Sequence, residues 1–353
     1  MRRKANTILT GLFLLLIFSP AINNNTKVFR EASLPEYRLT DEVSSFSLRH
    51  GWDFPNEYER YYNKNFGFRN ALIKINTIIK LRYLKSINPI PQVLIGKGGY
   101  LFYVSEKTEA HQGHSIDDYE GRVPYSDEQL LQMKQCFKEQ HHWLEKRGIE
   151  YLIVVCPEKH SIYPEYLPEN IRRFTDKTGL DQLMDCMNAD STIHIIDLRK
   201  KLLKAKGEFP TYYKTDSHWN NYGAYVGYQE IMRQLSFTHP DLKPLSLADY
   251  DITVTSNNGF GDLAKMLAMQ GMFKDEEVKF TLKRDTQLEQ RNQKKIKKLV
   301  IFHDSFWKQI RPFISNHFDK VVDRTSGFDS KLIEREKPDI VVFERTERSL
   351  QFI

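Results

Sequence analysis

The sequence predicts an α/β domain built on a mainly parallel sheet, and three observations carry that prediction. The runs 151–155 (Tyr-Leu-Ile-Val-Val) and 299–302 (Leu-Val-Ile-Phe) are continuously apolar, as strands buried on both faces are. Segments with helical periodicity alternate with such runs through the C-terminal two thirds of the chain. The polar residues with the most chemical potential stand just past the strands, where open parallel sheets carry their sites.

In chain order, residues 52–85 repeat aromatic and aliphatic side chains at helical spacing, and Asn88-Pro89-Ile90-Pro91 stops that helix. Residues 93–103 read as a hairpin turned by Gly96, Gly98 and Gly99. A helix is expected over 126–146, starting at Ser126-Asp127-Glu128-Gln129 and stopped by Gly148. Strands are expected at 151–155, 193–196, 298–302, 320–322 and 339–343. Helices are expected at 181–188, 221–235, 307–316 and 330–336. The part between 236 and 297 is less regular. Its basic end, 285–298 with Lys294, Lys295, Lys297 and Lys298, reads as a solvated, mobile insertion.

The 353 residues are enough for a sizeable core, and 40% hydrophobic with 28% charged residues describes an ordinary globular protein. The net charge of +6 is mild, and no basic patch carries the aromatic interleaving of a nucleic-acid binder. Cys136, Cys156 and Cys186 have neither disulfide-framework nor zinc-ligand spacing and read as buried free thiols. His111, His114, His141 and His142 lack acidic or thiol partners at ligand spacing and read as surface histidines, so no metal is expected.

Arg2, Arg3 and Lys4 precede an apolar run from 8 to 22 interrupted by Thr10, Gly11, Ser19 and Pro20. This is the pattern of a secretory signal, either retained as an anchor or removed. The run is short against the roughly 20 residues a membrane span needs. The basic residues stay cytoplasmic and the remainder is exported. The organisation expected is a signal anchor or signal peptide over 1–24, a tether with helix and glycine hairpin over 25–125, and a catalytic domain over 126–353.

The chemistry centres on Thr215-Asp216-Ser217-His218-Trp219-Asn220. In an extended segment Asp216 and His218 project to the same side, so the carboxylate orients the imidazole. A base so held needs a nucleophile. Ser305, in His303-Asp304-Ser305-Phe306, sits where a strand hands over to a helix. The expected site is a Ser305-His218-Asp216 triad for acyl transfer. The backbone N–H of Ser305 is the expected oxyanion donor, with Lys159 or Arg345 assisting from neighbouring strand ends.

These motifs resemble those of the AlgJ/AlgX family of alginate O-acetyltransferases. The carriers are Asn63-Lys64-Asn65-Phe66-Gly67-Phe68-Arg69, the glycine hairpin 94–102, Pro157-Glu158-Lys159-His160, the Asp-x-His-Trp motif and the Asp-Ser-Phe motif, in this order. His303 stands where the family has glycine before Asp-Ser. The resemblance implies an SGNH hydrolase-like three-layer domain, with the serine late in the chain rather than early. It implies an extracytoplasmic O-acetyltransferase with a polysaccharide acceptor and a membrane-bound O-acyltransferase as acetyl donor, without a cofactor. Trp219 of the Asp-x-His-Trp motif joins Lys159 and Arg345 as an expected substrate-binding or oxyanion residue. An acetylesterase with the same triad and a non-catalytic assembly subunit are the alternatives.

Overall fold

The computed structural model describes residues 2–26, 67–105, 115–188, 193–259, 261–292, 297–325 and 327–352, with positions 55, 56, 58, 59, 62 and 295. The polar tether, most of the 52–66 stretch, His111 and His114 lie outside the described residues. The chain divides into two compact units. One is Met1–Pro89 with Lys265–Gln270; the other is Ile90–Ala264 with Gly271–Ile353.

In the first unit, residues Arg2–Thr26 form a single helix. Its stretch Lys4–Asn23, 20 residues of mean hydropathy 1.9, is long and apolar enough to cross a membrane. This exceeds the run read from sequence because the helix continues through its polar positions. Ser19 Oγ returns to the carbonyl of Leu16 at 2.9 Å and Thr26 Oγ1 to that of Ile22 at 2.8 Å, so neither hydroxyl is left unsatisfied. A further helix covers Arg69–Arg82 and stops before Asn88-Pro89.

Among the described residues the second unit holds nine strands: β1 Val93–Ile95, β2 Leu101–Tyr103, β3 Glu150–Cys156, β4 Ile195–Asp197, β5 Tyr250–Asn258, β6 Lys274–Leu282, β7 Lys298–Phe302, β8 Lys320–Arg324 and β9 Ile340–Thr346. β1 and β2 form the expected hairpin; Gly98 and Gly99 take φ of 63° and 82°, which glycine adopts without penalty. Five strands make the central sheet in the order β4-β3-β9-β7-β8, every pair parallel.

Alternation along the strands sorts the core. Tyr151, Ile153, Val155, Val300, Phe302, Val341 and Phe343 join one cluster with Leu130, Met133, Phe137 and Leu144 of helix Asp127–Glu145, Leu183 of helix Gly179–Asn188 and Ile333 of helix Ser330–Glu336. Leu152, Val154, Ile301 and Val342 point the other way and are just as buried. Burial on both faces explains the continuous apolar runs. Ser126 caps its helix with the reciprocal bonds of a capping box to Gln129, as its sequence signature predicts.

The irregular region contains the main surprise. β5 and β6 pair antiparallel over nine residues each as a separate ribbon. Tyr250 and Phe280 fasten it, with ring centroids 5.8 and 5.3 Å from Phe313 of helix Trp307–Ile314. Most of β5 is exposed, so its sequence lacks the apolar alternation that signals a half-buried strand. Within the basic stretch, Arg284–Asn292 is helical, and 293, 294 and 296 lie outside the described residues. All three cysteines are free, but Cys136 and Cys186 are only half-buried.

Candidate active site

Asp216, His218 and Ser305 come together at the carboxyl edge of the sheet. Ser305 Oγ lies 2.7 Å from His218 Nε2, and Asp216 Oδ1 lies 2.7 Å from His218 Nδ1. The three side chains form one continuous hydrogen-bonded chain from carboxylate through imidazole to hydroxyl.

The Asp216–His218 pairing arises differently from the extended segment expected. Residues 214–218 are bent, and Asp216 Oδ1 also accepts the backbone N–H of His218 at 3.0 Å. This is an Asx-type turn, in which a short carboxylate bonds the chain two residues on. It sets the imidazole against the carboxylate within one bend.

Buried side chains hold this base loop. Asp275 of β6 accepts the N–H groups of Lys214 and Thr215, each at 2.9 Å, and the Thr215 hydroxyl at 2.6 Å. Gly261 packs so tightly that a Cβ there would stand 2.3 Å from the Thr215 carbonyl carbon. Lys159 Nζ donates to the carbonyls of Leu101 at 2.6 Å and Lys214 at 3.2 Å, pinning the loop to the hairpin. Its ammonium is buried and occupied by backbone, a strut for the loop rather than a contact for a substrate oxygen. Burial, opposed by Asp216, Asp262 and Asp275, pulls the Lys159 ammonium down to about 8. Asn220 Oδ1 accepts from Tyr222 and Gly223 and caps helix Asn221–Thr238 where the loop ends.

The nucleophile loop hangs directly from the sheet. Asp304 Oδ2 accepts the N–H and hydroxyl of Thr346, both at 2.8 Å, and its Oδ1 accepts the N–H of Phe306 at 3.0 Å. The N–H of Asp304 donates to Glu344 Oε2 at 3.0 Å. Burial, then Asp304, pushes the Glu344 carboxyl well up. His303 lies outside the left-handed region, so histidine in place of glycine imposes no backbone strain. With the Phe306 N–H taken by Asp304, no described residue engages the N–H of Ser305.

Trp219 joins the two loops. It is fully buried, and its Nε1 donates to the carbonyl of Phe306 at 3.0 Å. The Phe306 ring sits 5.0 Å from His218 and 5.2 Å from Trp219. Trp219 therefore braces the site from within. Arg345 lies on the Phe343 face of β9, donates to the Glu344 carbonyl at 2.7 Å and covers the Phe343 ring at 4.1 Å.

Asp262 escaped sequence reasoning. Its N–H donates to Asp216 Oδ2 at 3.0 Å, and its carboxylate accepts the Ser217 N–H at 2.7 Å and hydroxyl at 2.6 Å. The available signal was Gly259-Phe260-Gly261-Asp262, glycines beside a carboxylate in an otherwise irregular region. Burial alone would raise the Asp216 carboxyl, but the His218 hydrogen bond and charge, with the backbone N–H groups, hold it well below the carboxylate range. Asp262 is pushed up, by burial and then by Asp216. Asp216, His218 and Asp262 bring three ligand atoms within 4.8 Å of one another. His218 Nδ1 and both carboxylates are already hydrogen-bonded, so the group reads as a braced base rather than a metal centre. A cleft of about 420 Å³ opens beside it, lined by Tyr213, Asp216, Asn257, Asn258 and Glu277 among others.

Comparison with known proteins agrees with this architecture. The chain is similar to "Probable alginate O-acetylase AlgJ" of Pseudomonas aeruginosa, 26% identical over 236 residues, covering 66% of this chain and 54% of that protein. The protein of the same description from Azotobacter vinelandii is 25% identical over 225 residues, covering 62% and 52%. The chain thus spans about half the length of the curated relatives it matches. Its fold resembles the O-acetyltransferase domain of Pseudomonas putida AlgJ, with TM-score 0.51, 18% identity, and 75% of this chain and 94% of that one covered. It also resembles Bacillus cereus PatB1, with TM-score 0.51, 16% identity and coverage of 73% and 96%. A family model described as "SGNH hydrolase-like domain, acetyltransferase AlgX" matches residues 93–305, ending on the candidate nucleophile. The chain belongs to that AlgX family of SGNH hydrolase-like domains.

Proposed function

We propose that this protein is an extracytoplasmic O-acetyltransferase that moves an acetyl group through Ser305 onto hydroxyls of a polysaccharide. The observation carrying the proposal is the pair of 2.7 Å contacts that His218 makes with Ser305 and Asp216. His218 Nε2 takes the Ser305 proton as Oγ attacks the acetyl carbonyl carbon. The Ser305 N–H receives the developing oxyanion. Collapse expels the donor's leaving group, which takes the proton back from His218, and leaves an acetyl-serine. A sugar hydroxyl then gives its proton to His218 and attacks the acetyl-serine; collapse expels Ser305 Oγ, which takes that proton back from His218, and releases the acetylated sugar.

Membership of the family and likeness to proteins named alginate O-acetylase support acetyl rather than another acyl group, and a polysaccharide rather than a small alcohol. The apolar helix Lys4–Asn23 fits a membrane anchor, with Arg2, Arg3 and Lys4 on the cytoplasmic side. An exported domain has no direct access to cytoplasmic acetyl donors, so a membrane-bound O-acyltransferase is the partner this reading requires.

The test uses the detergent-solubilised full chain and an activated acetyl ester. One acetyl group should appear on the peptide carrying Ser305 and be absent in Ser305→Ala and His218→Ala. Oligosaccharide acceptors, oligomannuronate among them, should discharge it faster than water does. Equal discharge by water with every acceptor would favour an esterase, and acetyl transfer without a Ser305 label would remove Ser305 as nucleophile.

A further inference from the structure

His218 is faced by two carboxylates, and the mechanism above uses one. Asp216 Oδ1 lies 2.7 Å from Nδ1, and Asp262 Oδ2 lies 3.7 Å from the same nitrogen. Ser217 Oγ stands between the imidazole and Asp262, 3.3 Å from Nδ1 and 2.6 Å from Asp262 Oδ2. A hydroxyl carries one proton. With that proton given to Asp262, the oxygen lone pairs of Ser217 face the Nδ1–H. The imidazole N–H thus has two acceptor arms, Asp216 directly and Asp262 through a polarised hydroxyl.

Nothing in this arrangement is loose. The Asp262 N–H donates to Asp216 Oδ2 at 3.0 Å, and Asp262 Oδ1 accepts the Ser217 N–H at 2.7 Å. The Gly261 N–H donates to Thr215 Oγ1 at 3.2 Å, which binds the start of the Asp262 segment to the base loop.

We propose that Asp262, acting through Ser217, is a second positioning carboxylate for His218. This rests on the reading of His218 as the base for Ser305. In the resting state the two carboxylates repel, and burial and Asp216 together push the Asp262 carboxyl up. When Ser305 Oγ bonds to the acetyl carbon, its proton moves to Nε2 and the ring becomes an imidazolium. The Nδ1 proton stays on the ring, and neither carboxylate is protonated. The positive charge then lies within reach of both carboxylates. An interaction gained only on proton transfer lowers the barrier instead of tightening the ground state. Glu158 also acts on the imidazole, Lys159 on both aspartates and Arg348 on Asp262. The two cations offset part of the acidic field, so removal of Asp262 leaves a less negative surrounding for the ring.

The test follows acylation of the full chain by an activated acetyl ester across pH. Asp262→Asn should lower the acylation rate roughly 10- to 100-fold. KM for the ester should be unchanged, and the acid limb of the profile should move to lower pH, because a base with less negative charge around it is protonated less readily. Ser217→Ala should give a smaller loss in the same direction, and Asp262→Glu should restore part of the rate. A folded Asp262→Asn with wild-type Tm and a wild-type acid limb would overturn the proposal. Should Asp262→Asn fail to fold, an unmoved acid limb in Ser217→Ala would overturn it. Absence of an acetyl label on Ser305 in the unsubstituted protein is a separate result; it overturns the base assignment and this proposal with it.

Discussion

The two loops that meet at the site are held in different ways. The nucleophile loop grows out of β7 and is tied to the neighbouring strand β9, through Asp304 to Thr346 and Glu344. The base loop lies between helices Arg199–Ala205 and Asn221–Thr238 rather than at the end of a sheet strand. It is held by Asp275 and Asp262, which belong to the ribbon region between 250 and 282, and by Lys159 beyond β3. The serine is thus placed by the framework of the fold, and the histidine by side chains from a later excursion of the chain. Stability and activity should therefore separate between the two loops.

The largest effect sharpens the chemistry of the base loop. Asp216→Asn should leave the far-UV spectrum unchanged and reduce acetyl transfer by roughly 10²- to 10⁴-fold, because the imidazolium loses its nearest countercharge and the neutral tautomer is no longer enforced. Transfer rates within a few-fold of the unsubstituted protein would take Asp216 out of the site.

Next comes the contrast itself. Asp275→Asn places an amide NH₂ among donors that all need an acceptor, so the base loop shifts. A misplacement of about 1 Å costs on the order of 10²-fold in rate. Asp304→Asn makes the same exchange where the chain is bound to the sheet, and should lower Tm more than Asp275→Asn does. Equal Tm losses for the two variants would break the distinction between framework and excursion.

Trp219→Phe is expected to act on both loops. It keeps the packing but strands the Phe306 carbonyl, which accepts from Nε1 over 3.0 Å. A buried acceptor left without a donor costs about 1–3 kcal/mol. Thermal unfolding should show that loss, with acetyl transfer lowered by no more than about tenfold; a wild-type Tm would mean that the carbonyl finds another donor.

The smallest effect concerns Glu347, behind the site, which accepts the N–H of Glu158 at 2.5 Å and the hydroxyl of Ser161 at 2.8 Å. Burial pushes its carboxyl up to about 8, against about 4.3 when unfolded. A raised carboxyl binds its proton more tightly in the folded state, so its contribution is full below about pH 4.3 and is lost as pH rises through 8. Between pH 5 and pH 8.5 the unsubstituted protein should lose more Tm than Glu347→Gln; parallel curves would show that Glu347 is already ionised in the fold.

The sequence by itself determined the parallel sheet and the candidate triad residues, for physical reasons that act locally. Strands buried on both faces must be apolar at every position, so β3 and β7 were visible as runs. A serine after such a strand and an Asp-x-His in a polar loop keep their chemical character in any context, so Ser305, His218 and Asp216 stood out. The ribbon β5–β6 was not visible, because an exposed strand leaves no burial pattern in its residues. Tertiary structure alone decided what surrounds the candidate triad. Lys159 had the character of a substrate contact until two carbonyls occupied its ammonium. Asp262, 46 positions from Asp216, became its hydrogen-bond partner only through chain folding. A side chain's type states what it is able to do; which partner satisfies it, and hence whether it is free to act, is settled by neighbours that are distant in the chain.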